Sequence, residues 1–312
     1  ASNQSNKGEA VMATGIKETE VRARKLHHRT ATVDGLKIFY REGGPKDAPT
    51  LVLLPGFPAA SYQYVPLMRA LSAHVHVLSP DYPGFGYSDA PTASSAGGSF
   101  VYSFDHLAEI VGRFLDQIGQ RHFFVYMFDF GAPVGFRIAL KHPEWIRGIV
   151  AQNGNAYEEG LGPNIEPMKA FWKNREGLAE QVKGAFSLAA TRSAHLEGVR
   201  DAELVDPDMW TLDQHWLDQP GRAAIMLDLF YDYQTNVAAY PAWQAWLREH
   251  RPPVLLPWGK NDGYFPGAGA QAYLKDVPDA EVQLLDTGHF ALDDHLEEIS
   301  ALVDAFIARH AR

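Results

Sequence analysis

Three side chains suited to nucleophilic or acid–base chemistry, Asp129, Asp262 and His289, each follow an apolar stretch of the sequence by one to four residues. Such stretches predict buried strands. Burying an unpaired charge is costly, so a charged side chain at the end of a buried strand indicates a functional role. The carboxyl ends of parallel strands meet at one edge of a sheet, where open α/β sheets bind their ligands. We therefore expect these three side chains to lie together.

The identity of the first residue decides the chemistry. Asp129 stands at a strand–turn–helix junction, a context that holds an attacking side chain at the top of a sheet. A carboxylate that attacked an ester would form a mixed anhydride, a poor intermediate, whereas attack on an sp³ carbon forms an ordinary ester. Asp129 therefore favours epoxide opening or halide displacement. His289 would then be the general base for the water that hydrolyses the ester, and Asp262 would hold the imidazole in the required tautomer.

Strand-like and helix-like patterns alternate on both sides of this junction. A hairpin turning at Asp34-Gly35 is expected within residues 28–43, and Ser103 is the predicted N-cap of a helix over 104–118. Asp293 and Asp294 are predicted to cap the closing helix. Further apolar runs predict strands at 50–54, 74–79, 123–128, 146–151, 254–258 and 281–285. This alternation predicts an α/β fold with a mostly parallel sheet flanked by helices.

Residues 155–246 interrupt the alternation. They contain no convincing parallel strand but hold five of the seven tryptophans and several tyrosines in helical spacing. We interpret them as a helical cap inserted into an α/β core made of residues 25–154 and 247–312. Residues 1–24 are polar and are expected to form a disordered leader, although a removed signal sequence could also have preceded them.

The composition of the 312 residues limits the possible partners. A net charge of −10 and no basic stripe argue against a nucleic-acid partner, and no apolar run is long enough to span a membrane. The absence of cysteine excludes disulfide and thiolate chemistry. We expect a cytoplasmic protein, with a homodimer possible, that binds a small hydrophobic substrate.

Several motifs carry a resemblance to a known family over about residues 28–310. They are Gly56-Phe-Pro58, the segment 81–89 (DYPGFGYSD), the junction at Asp129, and the order Asp129, Asp262, His289. The chain resembles the α/β-hydrolase fold family, in its epoxide hydrolase and haloalkane dehalogenase branch. The resemblance implies an oxyanion hole made by the backbone N–H groups of Phe57 and Phe130, and no metal or organic cofactor.

The residues that would stabilise a leaving group separate the two reactions of that branch. Haloalkane dehalogenases resemble this chain but usually place a tryptophan N–H donor after the nucleophile, where this chain has Phe130. Fluoroacetate dehalogenases also resemble this junction but place arginines after the aspartate to bind a carboxylate. This chain has Phe130 and Pro133 in that segment instead. Gly56-Phe-Pro58 fits the epoxide hydrolase pattern, with Pro55 in place of its usual histidine. Epoxide hydrolysis is therefore the leading prediction.

Epoxide hydrolases also use two cap tyrosines as donors to the epoxide oxygen. Tyr233 matches the position of one, and Tyr157 is the first candidate for the other, ahead of Tyr231 and Tyr240. Trp172 stands near the place where the first tyrosine would lie. Two alternatives stay open. One is a haloalkane dehalogenase or another C–X hydrolase, and the other is a non-catalytic small-molecule receptor on the same fold.

Overall fold

The computed structural model describes residues 24–311, which form an eight-stranded sheet covered by helices. The strand order is β1-β2-β4-β3-β5-β6-β7-β8, with β1–β2 and β2–β4 antiparallel and the other pairs parallel. The strands are β1 (Leu26–Val33), β2 (Leu36–Gly43), β3 (Thr50–Leu54), β4 (His76–Pro80), β5 (Phe123–Phe128), β6 (Ile146–Gln152), β7 (Val254–Gly259) and β8 (Glu281–Leu285). The predicted α/β-hydrolase fold class is confirmed, and most of the predicted strands lie within two residues of their expected bounds.

Helices occupy both faces of the sheet and the region between β6 and β7. The α-helices are α1 (Val65–Leu71), α2 (Phe104–Gln117), α3 (Gly131–Lys141), α4 (Glu166–Lys173), α5 (Arg175–Val182), α6 (Leu188–Leu196), α7 (Pro207–Leu217), α8 (Arg222–His250), α9 (Ala268–Ala272) and α10 (Leu296–His310). None of the described helices is long and apolar enough to cross a membrane.

The central strands are buried on both faces, and this explains their continuous apolar sequences. Every residue of β3, β5 and β7 is buried. One face packs against α2 and α3, and the other packs against α1 and α10, which contributes Ile299, Val303 and Phe306. Because strands buried in this way cannot shift without exposing apolar side chains, their carboxyl ends form a fixed edge.

Local signals set the ends of several elements as predicted. Asp34 and Gly35 both have positive φ, +51° and +81°, as the two-residue hairpin turn requires. The Ser103 side chain accepts a hydrogen bond from the backbone N–H of His106 and so caps α2. The prediction for α10 was wrong: Asp293 binds His195 and Asp294 accepts from Thr287, so neither carboxylate caps the helix.

The residues between β6 and β7 carry helices α4 to α8, and we refer to residues 155–246 as the cap. Helix α8 has 29 residues and continues from the cap through residue 246 to His250, so the predicted boundary falls inside a helix. Nothing in the sequence near residue 246 breaks helical periodicity. The predicted leader, residues 1–24, lies outside the described residues except for Arg24.

Candidate active site

The backbone at Asp129 holds its side chain above the carboxyl edge of the sheet. Asp129 follows β5 with φ = +48°, a left-handed conformation that is strained for an aspartate, and α3 begins two residues later. Gly131 makes this tight turn possible, because a Cβ there would lie 2.2 Å from the carbonyl oxygen of Leu54 on β3. The turn therefore depends on a glycine at the start of α3.

The carboxylate of Asp129 has two different environments. Its Oδ1 accepts a hydrogen bond of 2.7 Å from the backbone N–H of Phe57. The backbone N–H of Phe130 also hydrogen-bonds the carboxylate. Oδ2 lies 3.6 Å from Nε2 of His289. One oxygen is therefore held by the backbone N–H of Phe57, one of the two predicted oxyanion-hole donors, and the other faces the imidazole.

Asp262 fixes the orientation of His289. Its Oδ2 lies 2.7 Å from Nδ1 of the imidazole, while its Oδ1 accepts a 2.7 Å hydrogen bond from the backbone N–H of Tyr264. Asn153, at the end of β6, donates to the same Oδ2 over 2.9 Å. Because three hydrogen bonds fix this buried carboxylate, the imidazole presents Nε2 to Asp129 in one geometry.

Burial and neighbouring charges shift the pKa values of both reactive groups. Burial raises the pKa of Asp129, and this effect outweighs the opposing effects of His289 and of the two backbone N–H groups. For His289, burial by itself lowers the pKa, but the carboxylates of Asp262 and Asp129 outweigh it, so the pKa is raised. The two groups thus share an electrostatic environment in which each charge stabilises the other.

A cavity of about 600 Å³ opens onto Asp129 and His289 and extends beneath the cap. Its wall near Asp129 is aromatic, and its far end is aliphatic, with Met168, Leu178 and Val182. Among residues 24–311, no tryptophan, lysine or arginine lines this cavity. The site therefore suits an uncharged, largely apolar molecule.

Two phenols line the cavity. Tyr233 is the predicted one, and its pKa is raised well above its ordinary value by burial, then by the adjacent Tyr240 and by Asp129. Tyr264 was not predicted, although it stands two residues after Asp262 at the same sheet edge, a signal that could have been used. Burial, followed by the charges of Glu197, Asp262 and Asp129, raises the pKa of Tyr264 to about 12. Its hydroxyl makes no hydrogen bond with the residues that the structure describes.

The structure does not bring Tyr157 and Trp172 to the cavity. The Tyr157 hydroxyl donates to Asp276 over 2.7 Å, and its ring packs on Tyr273. The Trp172 indole N–H donates to the carbonyl oxygen of Phe230 over 2.8 Å. Because the donor of each side chain already has a buried acceptor, neither is placed to bind a leaving group. Within residues 24–311 no cluster of His, Cys, Asp or Glu has the arrangement of a metal site.

Comparisons with known proteins agree with this architecture. A family model described as alpha/beta hydrolase fold matches residues 49–296. The chain is 42% identical over 288 residues to an uncharacterized hydrolase of Saccharomyces cerevisiae, covering 91% of this chain and 97% of that protein. It is 24% identical over 298 residues to a haloalkane dehalogenase of Psychrobacter cryohalolentis, covering 89% of each. An epoxide hydrolase structure from Vigna radiata has a TM-score of 0.71 at 23% identity, covering 91% of this chain and 98% of that one.

Proposed function

The chain belongs to the α/β-hydrolase fold family, and from that premise we propose that it hydrolyses an epoxide to a vicinal diol through an ester on Asp129. The observation that carries this proposal is the pairing of a buried carboxylate with an unpartnered phenol. Asp129 supplies a nucleophile for sp³ carbon, and Tyr264, which lines the same cavity with its ring 5.3 Å from that of His289, supplies a proton for an alkoxide.

In the first step, Oδ2 of Asp129 attacks an epoxide carbon and the C–O bond of the strained ring breaks. Tyr264 donates its proton to the departing oxygen, which leaves a phenolate and a β-hydroxyalkyl ester. Oδ1 becomes the carbonyl oxygen of the ester and stays on the N–H of Phe57. The charge on the phenolate equals the charge lost from the aspartate.

In the second step, His289 takes a proton from a water that attacks the carbonyl carbon of the ester. The negative charge develops on Oδ1, which the backbone N–H of Phe57 holds, and we assign the backbone N–H of Phe130 as the second donor that stabilises it. Collapse expels the diol oxygen, which takes the proton from His289. The proton left on the new Asp129 carboxyl returns to Tyr264, so the net reaction adds one water.

The cavity supports a substrate class as well as a reaction. Its lining offers phenols, the Asp129–His289 pair, the uncharged polar side chains of Asn164, Gln181 and Thr191, and apolar side chains, but among the described residues no lysine or arginine, so a neutral, lipophilic epoxide fits better than one that carries a carboxylate. The donors near the site argue against halide as the leaving group, because neither Phe57 nor Phe130 has a side-chain donor, the indole N–H of Trp172 is occupied, and the amide of Asn164 donates to Glu197.

Trapping of the ester tests the proposal. His289→Gln should form the ester but fail to hydrolyse it, so intact-protein mass spectrometry should show one epoxide-derived adduct, with peptide mapping placing it on Asp129. His289→Gln/Asp129→Asn is the control and should show none. An adduct from haloalkanes with release of halide, and none from epoxides, would identify a dehalogenase instead. Binding of small molecules without any adduct would indicate a receptor.

The role of the Tyr264 hydroxyl as proton donor is tested separately. Tyr264→Phe should slow ester formation from an epoxide by about 10²-fold, because the alkoxide loses its proton donor. Tyr273→Phe is the matched control, since the Tyr273 hydroxyl donates to the carbonyl oxygen of Gly154 outside the cavity. Equal rates in the two variants would remove Tyr264 from the mechanism.

A further inference from the structure

One segment of the cap contacts both loops that carry the partners of Asp129. We call residues 260–265 the acid loop, residues 286–294 the histidine loop, and residues 195–200 the clamp segment. The clamp segment comprises the end of α6 and the turn that follows. Asn261 of the acid loop donates to the carbonyl oxygen of Gly198 over 2.9 Å.

Backbone lies directly on backbone at this contact. A Cβ added at Gly288 would lie 1.9 Å from the carbonyl oxygen of Glu197, and one at Gly259, just before the acid loop, would lie 1.8 Å from the carbonyl oxygen of Gly288. Gly198 itself has φ = +79°. The clamp segment, the histidine loop and the start of the acid loop therefore pack together without intervening side chains.

His195 connects the cap to the histidine loop through a fully buried ion pair. Its Nδ1 lies 2.6 Å from Oδ2 of Asp293, and its Nε2 lies 2.8 Å from Oδ2 of Asp213 on α7. Asp213 also accepts a hydrogen bond from the Tyr62 hydroxyl of the core. Burial lowers the pKa of His195, but the two carboxylates outweigh this and raise it to about 9. At neutral pH the imidazole is thus a cation between two acids.

The ring of His195 also reaches the histidine loop by stacking. It lies parallel to Phe290, with centroids 3.9 Å apart and an interplanar angle of 12°. Phe290 directly follows His289 and meets its ring edge to face at 5.1 Å. The same cap residue therefore fixes the histidine loop at two points after His289, by a stacked ring at Phe290 and by an ion pair at Asp293.

We propose that His195 is a positioning residue which, through Asp293 and Phe290, holds His289 in the geometry needed to activate water. This inference rests on the proposed function. The contacts of His195 itself bear on the second step more than on the first, because they reach the histidine loop and do not include Asp129, Phe57 or Tyr264. Displacement of a general base by about 1 Å is enough to slow a reaction by about 10²-fold.

Two substitutions separate the contact of His195 with Asp293 of the core from its contact with Asp213 of the cap. His195→Gln places its amide near the former Nε2 and keeps only the contact with Asp213, whereas His195→Asn places its amide near Nδ1 and keeps the contact with Asp293. In single-turnover experiments with an epoxide, His195→Gln should slow ester hydrolysis at least about tenfold and leave ester formation within about twofold. His195→Asn should retain hydrolysis close to the original rate.

The matched control is another buried histidine with two polar partners. His76, the first residue of β4, lies between Thr50 at 3.0 Å and Glu42 at 2.9 Å, at the amino end of the strand and away from both loops. His76→Gln should lower the melting temperature without changing the ratio of the two rates. If His195→Gln changes both rates by the same factor, or neither, the proposal is wrong.

Two further measurements cover the remaining outcomes. If His195→Gln fails to fold, Asp293→Asn replaces it in the test, because it removes the charge of the core residue that binds His195. This variant should slow ester hydrolysis selectively, and equal slowing of both steps contradicts the proposal. If the unsubstituted protein forms no ester, the proposed function fails, and hydrogen exchange tests the clamp by itself. Amides of residues 286–294 should then exchange faster in His195→Gln and not in His76→Gln, and unchanged exchange refutes the clamp.

Discussion

At the scale of single residues, the reactive centre depends on two carboxylates with different tasks. Asp262 has each oxygen bound by a backbone or side-chain donor in addition to His289, so it is committed to orientation. Asp129 has one oxygen bound by Phe57 and the other directed at the imidazole. Two aspartates with identical side chains thus differ in reactivity because they accept different sets of hydrogen bonds.

The charge on Asp129 should control the basicity of His289 during turnover. Both carboxylates raise the pKa of His289, and esterification of Asp129 removes one of them. The pKa of His289 should therefore fall in the intermediate, which increases the neutral, basic fraction when the base is needed. NMR titration of the His289 ring should give a lower pKa in Asp129→Asn, which mimics the uncharged ester.

Asp262→Asn should lower the pKa of His289 further than Asp129→Asn does. Asp262 is closer to the imidazole and raises its pKa more than Asp129 does. The same substitution should reduce the rate of ester hydrolysis by about two to four orders of magnitude, since the tautomer is no longer held. An unchanged titration in both variants would show that the two carboxylates do not act on the imidazole.

The residues of the site differ in how far the sequence could predict them. Asp129, Asp262 and His289 were placed together because each follows a strand whose apolar pattern is unmistakable, and parallel topology brings strand ends to one edge. Tyr157 and Trp172 were wrongly placed because their direction depends on Asp276 and Phe230, which are 119 and 58 residues away along the chain. His195 gave no signal, since its partners come from α7 and from the histidine loop, both distant along the chain.

At the scale of elements, the contact between α3 and β3 decides whether the turn at Asp129 can form. The first residue of α3 lies against the backbone of β3, and Gly135 one turn later leaves room for the Met127 side chain. Glycine therefore stands at the two helix positions that face the sheet, Gly131 against Leu54 of β3 and Gly135 against Met127 of β5.

Substitution of these glycines should separate close packing from helix propensity. Gly131→Ala should destabilise the protein by about 1–3 kcal/mol, because a Cβ would meet the carbonyl oxygen of Leu54. Gly112→Ala, in the middle of α2 with no atom within 4 Å of its added Cβ, should stabilise by about 0.5–1 kcal/mol. Urea unfolding of both variants measures the difference, and effects of the same sign would contradict this account.

At the scale of the whole molecule, the net charge of the protein and the lining of its cavity both disfavour anionic ligands. The net charge of −10 repels anions over the distance that salt allows, and no lysine or arginine among the described residues lines the cavity to compensate. The cap closes an apolar space over a buried carboxylate. The protein as a whole therefore selects against negatively charged ligands before any specific contact is made.

A pair of epoxides that differ only in a carboxylate or its methyl ester should reveal this selection. The value of kcat/KM should be at least about 10²-fold higher for the ester, because the carboxylate has no partner in the cavity. Gln181 is an exposed residue of the cavity lining, and Gln181→Arg should recover part of the difference by supplying a cation. Gln181→Leu is the control, and a similar gain in it would exclude a charge effect.

The hydrogen bond between Phe57 and Oδ1 also has an isotopic consequence. If that bond keeps the carboxylate from rotating, each turnover delivers the Oδ2 atom to the product and replaces it with an oxygen from water. In ¹⁸O-water, each active site should then release about one equivalent of unlabelled diol, followed only by labelled diol. A carboxylate that rotated between turnovers would release both of its original oxygens, about two equivalents. The isotope pattern of the first few diols therefore measures how firmly a single backbone N–H holds the nucleophile.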